Sequence, residues 1–151
     1  MIGREKKEYN DLFFVCSLIE YIGRKTKNHR NVVVNAIGKD KLQHLYELAD
    51  VYHSDNIDKV SDELIDNYHI KEGAVDNVSD SKYSIPTHWD IGKVYKRLII
   101  DICVKQGKES IETLVEVYNS WLSRKIEDFN SSLYYENPGY LYESYLEGDV
   151  L

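Results

Sequence analysis

Three groups of residues have types and spacings that could do chemistry. Behind Pro86, the run Thr87-His88-Trp89-Asp90 puts an imidazole, an indole and a carboxylate side by side, with Lys93, Lys96 and Arg97 in the next two turns. An imidazole near a carboxylate is the raw material of general acid–base catalysis. Arg24 and His29 stand with four residues between them in a basic stretch. His53 stands near Asp50, Asp55 and Asp58, which are all metal-ligating types. Only Asp50 and His53 share a helix face, and the chain has no Cys-x-x-Cys or His-x-x-x-His spacing. No metal and no cofactor are therefore expected.

The elements that must carry these residues read as helices. Residues 8–23 place Leu12, Cys16, Ile19 and Ile22 on one stripe, widened by Phe13, Phe14, Leu18 and Tyr21 and ended by Gly23. The charged "RKTKNHR" reads as a solvated connector. "NVVVNAIG" fits a strand or a helix locally, and a helix ended by Gly38 is favoured. "KDKLQHLYELADVYH" repeats Leu42, Leu45, Tyr46, Ala49 and Tyr52 at helical spacing. The next helix starts with Ser54 or Asp55 as N-cap. It turns Ile57, Val60, Leu64, Ile65 and Tyr68 inward, with Asp55, Asp58, Asp62 and Asp66 outward.

Residues 71–82 lose periodicity and form the linker between possible halves 1–70 and 83–151. After the linker, Ile91, Val94, Tyr95, Leu98, Ile99, Ile102 and Cys103 make a broad apolar face, so this helix is expected at the centre. Thr87 with Asp90 three residues later fits a capping box, which explains Pro86, Thr87 and Asp90 without catalysis. His88 and Trp89 are left over, as a ligand contact or a clamp between the halves. Residues 108–135 read as the longest helix, and a short final helix starts near Pro138.

Composition narrows the function classes. Apolar residues make up 42% and charged residues 30% of 151 residues, so the chain can bury a core without staples. Cys16 and Cys103 sit in apolar helical patterns and read as buried free thiols. No signal-peptide-like segment or transmembrane run appears, and a cytoplasmic protein is expected, with no membrane contact. The net charge of −7 makes nucleic acid an unexpected partner and a protein surface a natural one. Residues 126–151 hold six acids with no Lys or Arg, and 13 tyrosines outnumber 3 phenylalanines along the chain. Tyr134, Tyr135, Tyr140, Tyr142 and Tyr145 in this acidic tail either dock on the core or bind a protein partner.

Two resemblances add expectations. Arg24 and His29 resemble the Arg-x4–6-His pair of the HEPN group of all-helical toxin ribonucleases, although Lys25 follows the Arg where that group has a small polar residue. That resemblance implies Arg24 on a phosphate and His29 in proton transfer. Separately, "FFVCSLIEYIGRKT" followed by "LYELADVYHSDNIDKVSDELI" resembles a family of small bacterial helical proteins, through Ile19, Glu20, Tyr21, Tyr52 and His53. The resemblance spans roughly residues 9–70. Members often look like neighbours of ADP-ribosyltransferase-like toxins, which implies an antitoxin or toxin-partner role.

The expectation is an all-α single domain of about six to seven helices in two packed halves. Its leading function is a protein-interaction module, antitoxin-like or regulatory. The enzyme alternative is the Arg24–His29 ribonuclease. A DNA-binding regulator using residues 30–50, read as helix–Gly–helix, is the weaker alternative. A homo-oligomer remains open.

Overall fold

A computed structural model describes the backbone of residues 2–53 and 55–148 and the side chains of residues 7–52 and 55–148. The described residues form nine α-helices, one 3-10 turn and no strand. In order these are α1 (Ile2–Thr26), α2 (Arg30–Ile37), α3 (Lys39–Glu47), α4 (Ala49–His53) and α5 (Ile57–Asn67). Then come α6 (His88–Gln106), α7 (Ser110–Tyr118), α8 (Trp121–Glu127), the 3-10 turn Leu133–Tyr135 and α9 (Pro138–Glu147).

The pair α1 and α6 is the spine of the molecule and its most extensive helix contact. Around the middle of α1 nearly every side chain is buried, from Phe14 through Glu20. The apolar stripe of α6 meets it through Ile91, Tyr95, Leu98, Ile99 and Ile102, all 1% exposed or less. The two axes come close because position 92 has no side chain. A Cβ on Gly92 would stand 2.3 Å from Ser17 Oγ and 2.9 Å from the Ser17 backbone. Helices α2, α3 and α7 pack on one another beside this spine, and α9 packs on α6. Tyr95 of α6 stacks on Tyr118 of α7 with centroids 4.0 Å apart, and its hydroxyl lies 2.7 Å from Ser123 Oγ of α8.

Both sides of the 71–82 segment contribute to one buried cluster. The segment itself is irregular but tied down. Gly73 N–H donates to Thr26 O (2.8 Å), Val75 N–H to Lys27 O (2.9 Å) and Asn77 Nδ2 to Glu127 O (3.0 Å). Between α2 and α3, Gly38 takes φ 86°, in the left-handed half of the map that favours glycine, so the chain turns without a loop.

The helix count exceeds six to seven because two expected helices are broken. The single helix expected over 108–135 is α7, α8 and the 3-10 turn. Its breaks fall at short polar side chains that compete for backbone partners. Asn119 Nδ2 donates to Val115 O (2.9 Å) and Ser120 Oγ to Val117 O (2.6 Å). Asp128 Oδ1 accepts from Asn130 N–H (3.0 Å), ending α8. The longest helix is instead α1, which runs beyond the expected residues 8–23 at both ends. The other break falls at Leu48, which splits α3 from α4. The N-cap of α5 is Asn56, whose side chain accepts from Asp58 N–H (2.8 Å), and not Asp55. Ser54, the other expected cap, lies outside the described residues.

Candidate functional site

The connector between α1 and α2 is not a solvated basic strip. Arg30 is fully buried, and its Nε donates to Glu20 Oε1 at 3.0 Å, with both side chains 1% exposed. Tyr118 hydroxyl donates to the other oxygen of Glu20 (3.2 Å), and Arg30 Nη1 donates to Asn28 O (2.9 Å). Gly23 makes the room: a Cβ there would lie 2.3 Å from Arg30 Cδ. Burial pushes the Glu20 carboxyl up, and the Arg30 guanidinium pulls against that push. Glu20 interrupts an apolar run in the sequence, which was the one visible signal for this pair.

Arg24 and His29 are committed to different neighbours. Arg24 is half-buried, donates from Nη2 to Pro86 O (2.7 Å) and lies over the Phe129 ring, 5.6 Å from its centroid. His29 precedes α2 without capping it. Glu127, from the end of α8, serves both residues there. One of its oxygens accepts from Arg30 N–H (2.5 Å), and the other lies 2.8 Å from His29 Nδ1. His29, Glu127 and Arg124 line a groove of about 340 Å³, and Asp76, Asp80 and Asp128 also line it. An imidazole steered by a buried carboxylate can serve as a proton acceptor at its other nitrogen. Arg24 does not line this groove.

His88 and Trp89 close a row of rings across the seam between α1 and α6. Phe13 and Trp89 have centroids 5.6 Å apart, Trp89 and His88 4.7 Å, and His88 and Tyr21 4.9 Å. Lys96 covers Phe13 at one end and Lys25 covers Tyr21 at the other. The capping box is present in both directions, with Asp90 N–H to Thr87 Oγ1 (3.1 Å) and Thr87 N–H to Asp90 Oδ2 (2.9 Å). His88 is thus held by packing and not by Asp90. Burial lowers its pKa, and the nearby Arg24 charge lowers it further.

The five tail tyrosines divide. Tyr142 is buried, with Lys105 over its ring at 4.1 Å. Tyr140 and Tyr145 are half-buried against the core. Tyr134 packs edge-on against Phe129 and Tyr135. Only Tyr135 of the five turns its ring out, at 68% exposure, and Tyr83 from the linker side reaches 66%. Tyr134 and Tyr135 form a ridge between two grooves. One, of about 530 Å³, runs past Tyr83, Phe129 and Ser132. The other, of about 260 Å³, runs past Lys93, Arg97 and Leu141. Tyr83 carries no helical pattern in the sequence, and nothing there marked it as part of this surface.

Helices α2 and α3 have helix–Gly–helix form, with Val33, Val34, Ile37, Leu42 and Leu45 buried and Lys39 and His44 exposed. The acidic face of α5 is partly paired: Lys25 Nζ meets Asp58 Oδ1 at 2.7 Å and Asp62 Oδ1 at 2.5 Å, and Tyr21 hydroxyl donates to Asp58 (2.6 Å). The side chain of His53 lies outside the described residues. Among the described residues no three His, Cys, Asp or Glu side chains stand close enough to hold a metal ion. No described helix is long and apolar enough to cross a membrane. Cys16 is buried and Cys103 half-buried, both as free thiols. Compared with known protein families, curated proteins and solved structures, the chain matches none.

Proposed function

We propose that this chain is a cytoplasmic protein-interaction module, antitoxin-like or regulatory, whose partner is a protein, a toxin in the antitoxin reading. The contact surface is the ridge of Tyr134 and Tyr135 with Tyr83 beside it. The observation that carries this reading is the exposure of two large tyrosine rings, Tyr135 at 68% and Tyr83 at 66%, beside grooves of about 530 and 260 Å³. Tyrosine gives large contact area for little lost rotamer freedom, and such rings recur among the residues that dominate binding energy. Tyr140, Tyr142 and Tyr145 belong to the scaffold behind the ridge. The test is capture of a partner from cells of the host with purified protein as bait. A defined partner retained by the wild type and lost by Tyr135→Ala supports the reading. No retained partner, or one indifferent to Tyr135→Ala and Tyr83→Ala together, refutes it.

A second reading is RNA cleavage at His29, and the His29–Glu127 contact of 2.8 Å favours it. In that reading His29 accepts the proton and Arg24 acts through packing, since its guanidinium is taken by Pro86 O and Phe129. Loss of RNA cleavage or of growth arrest in His29→Ala is the outcome this reading requires. An interaction module keeps its partner after the same change.

A further inference from the structure

The groove of about 530 Å³ beside the tyrosine ridge is lined by rings and carries no charge. Tyr83, Tyr134 and Tyr135 contribute three of the rings, and Phe129, 2% exposed, is the fourth. The other lining residues are three serines and an asparagine, so among the described residues none that lines it is charged. That sets it apart in a chain with 30% charged residues. The grooves beside Asp50, Glu127, Arg97 and Glu8 all carry charged side chains. Its two sides are tied together. Asn130 Oδ1 accepts from Lys82 N–H (2.8 Å), Asn130 Nδ2 donates to Asp80 O (3.0 Å) and Ser81 Oγ donates to Tyr83 O (3.1 Å). The backbone that carries Tyr83 is thus fixed to the segment that carries Phe129, and Tyr134 sits edge-on between Phe129 and Tyr135.

The hydrogen-bonding side chains left over in the groove are of one kind. Asn130 is taken by the backbone of residues 80 and 82. Ser131 Oγ donates to Lys125 O (3.0 Å) and accepts from Leu133 N–H (3.3 Å). The hydroxyls of Tyr83, Ser84, Ser132, Tyr134 and Tyr135 form no hydrogen bond with another described residue. We infer that this groove receives a proline-rich segment of the partner protein in the polyproline II conformation, with prolines on the tyrosine rings and backbone carbonyls accepting from the free hydroxyls. This rests on the interaction reading above and names its chemistry. Such a segment has no internal hydrogen bonds and each proline lacks an N–H, so it offers rings and carbonyl acceptors without charge. An uncharged groove of rings and free hydroxyl donors matches all three. The other recurring ways of holding a peptide ask for something this groove lacks. An added strand needs a sheet edge, and the described residues form no strand. An amphipathic helix needs an apolar groove, and half of these lining residues are Ser or Asn. Acidic or phosphorylated segments and single-stranded nucleic acids need cations, and none lines it.

The probes are a set of fluorescein-labelled peptides with repeated Pro-x-x-Pro and uncharged residues at x, the same peptides with alanine for every proline, and a labelled linear glucose oligosaccharide. Fluorescence anisotropy is expected to show binding of proline peptides that hardly changes with salt, because no charged group takes part. Tyr83→Phe with Tyr135→Phe keeps both rings and removes two hydroxyls, and is expected to weaken that binding about tenfold. Backbone amide shifts on titration are expected at Tyr83, Phe129, Ser132 and Tyr135. The inference is overturned if no proline peptide binds, if the alanine peptides or the oligosaccharide bind as well or better, if salt abolishes binding, or if the double variant binds as the wild type does. Circular dichroism verifies folding of that variant, and Tyr135→Phe alone replaces it if it misfolds. Capture of the host partner separates this inference from the broader reading. A partner lost by Tyr135→Ala and displaced by excess proline peptide supports both. One lost by Tyr135→Ala but not displaced removes the proline-rich segment and leaves the ridge. A partner indifferent to Tyr135→Ala and Tyr83→Ala together removes both.

Discussion

Glu20 and Arg30 make the most discriminating target for perturbation, because the two partners differ in what each can do alone. Glu20→Gln keeps one oxygen for Arg30 Nε, turns an amide N–H toward the Tyr118 hydroxyl, which can accept it, and removes the counter-charge from a guanidinium that is 1% exposed. Arginine cannot shed its proton, so the charge stays buried with only the more distant influence of Glu127 to offset it. Breaking such a pair from one side costs about 3–5 kcal/mol. For a chain of this length that is a fall in Tm of roughly 6–20 °C.

Arg30→Met keeps volume and leaves Glu20 behind. Burial already raises the Glu20 pKa above its ordinary 4.5, and losing Arg30 removes the largest opposing influence. A carboxyl whose folded pKa is raised contributes stability that is present below its unfolded value and lost as pH rises through the folded value. Arg30→Met is therefore expected to recover stability relative to wild type as pH falls toward 4.5, whereas Glu20→Gln has no such relief. The double variant replaces a pair with a neutral amide and a thioether and is expected to cost less than the two single changes added, with a coupling of about 2–3 kcal/mol. Urea unfolding followed by the fluorescence of Trp89 and Trp121 measures all four corners of the cycle at two pH values. Additive costs, or a Glu20→Gln cost below about 1 kcal/mol, would refute the buried-pair argument.

Three further outcomes are expected. Gly92→Ala gains helix propensity but forces a Cβ onto the Ser17 backbone, so it is expected to destabilise by about 1–3 kcal/mol, and an unchanged or raised urea midpoint would show that α1 and α6 are not in such close approach. The lowered pKa of His88 means that the unfolded chain binds its proton first as pH falls, so stability is full above the ordinary value of 6.5 and declines below it. His88→Phe is expected to flatten that part of the Tm-versus-pH curve, and an unchanged slope would count against a half-buried imidazole with a lowered pKa. Glu127→Ala removes the acceptor for Arg30 N–H at the start of α2 and is expected to cost about 1–3 kcal/mol, with faster amide exchange in α2 than elsewhere; uniform exchange would contradict a local role.

Much of the architecture was legible because it rests on local rules. The apolar stripes of α1 and α6 repeat at helical spacing, and most of their predicted inward residues are buried, with Phe13, Tyr21, Val94 and Cys103 half-buried at the edges. The Thr87–Asp90 box and the start of α9 at Pro138 depend on residues within one turn of each other. The breaks in the helix expected over 108–135 were less legible, because apolar periodicity runs straight through Asn119–Ser120. There the competition of polar side chains for Val115 O and Val117 O prevails over the periodic pattern.

The candidate site was legible only in pieces. The tail tyrosines were visible as a group, but which of them face outward depends on how the 3-10 turn and α9 each lie on α6, and Tyr142 and Tyr135 come out opposite. Glu127 stands 98 residues from His29 and 97 from Arg30, so no local pattern could join them. The same holds for Glu20 with Tyr118, 98 residues apart.

The sequence by itself determined that the chain is helical, which face of each long helix is apolar and where the spine helix α6 begins, because backbone propensity and capping act over three or four residues. Only the tertiary structure decided that Arg30 in a basic connector is a core residue, that His88 and Trp89 pack across a helix seam and that Tyr83 and Tyr135 turn outward beside one uncharged groove. The reason is physical: burial and ion pairing are set by what other elements bring alongside, over separations the local pattern does not reach.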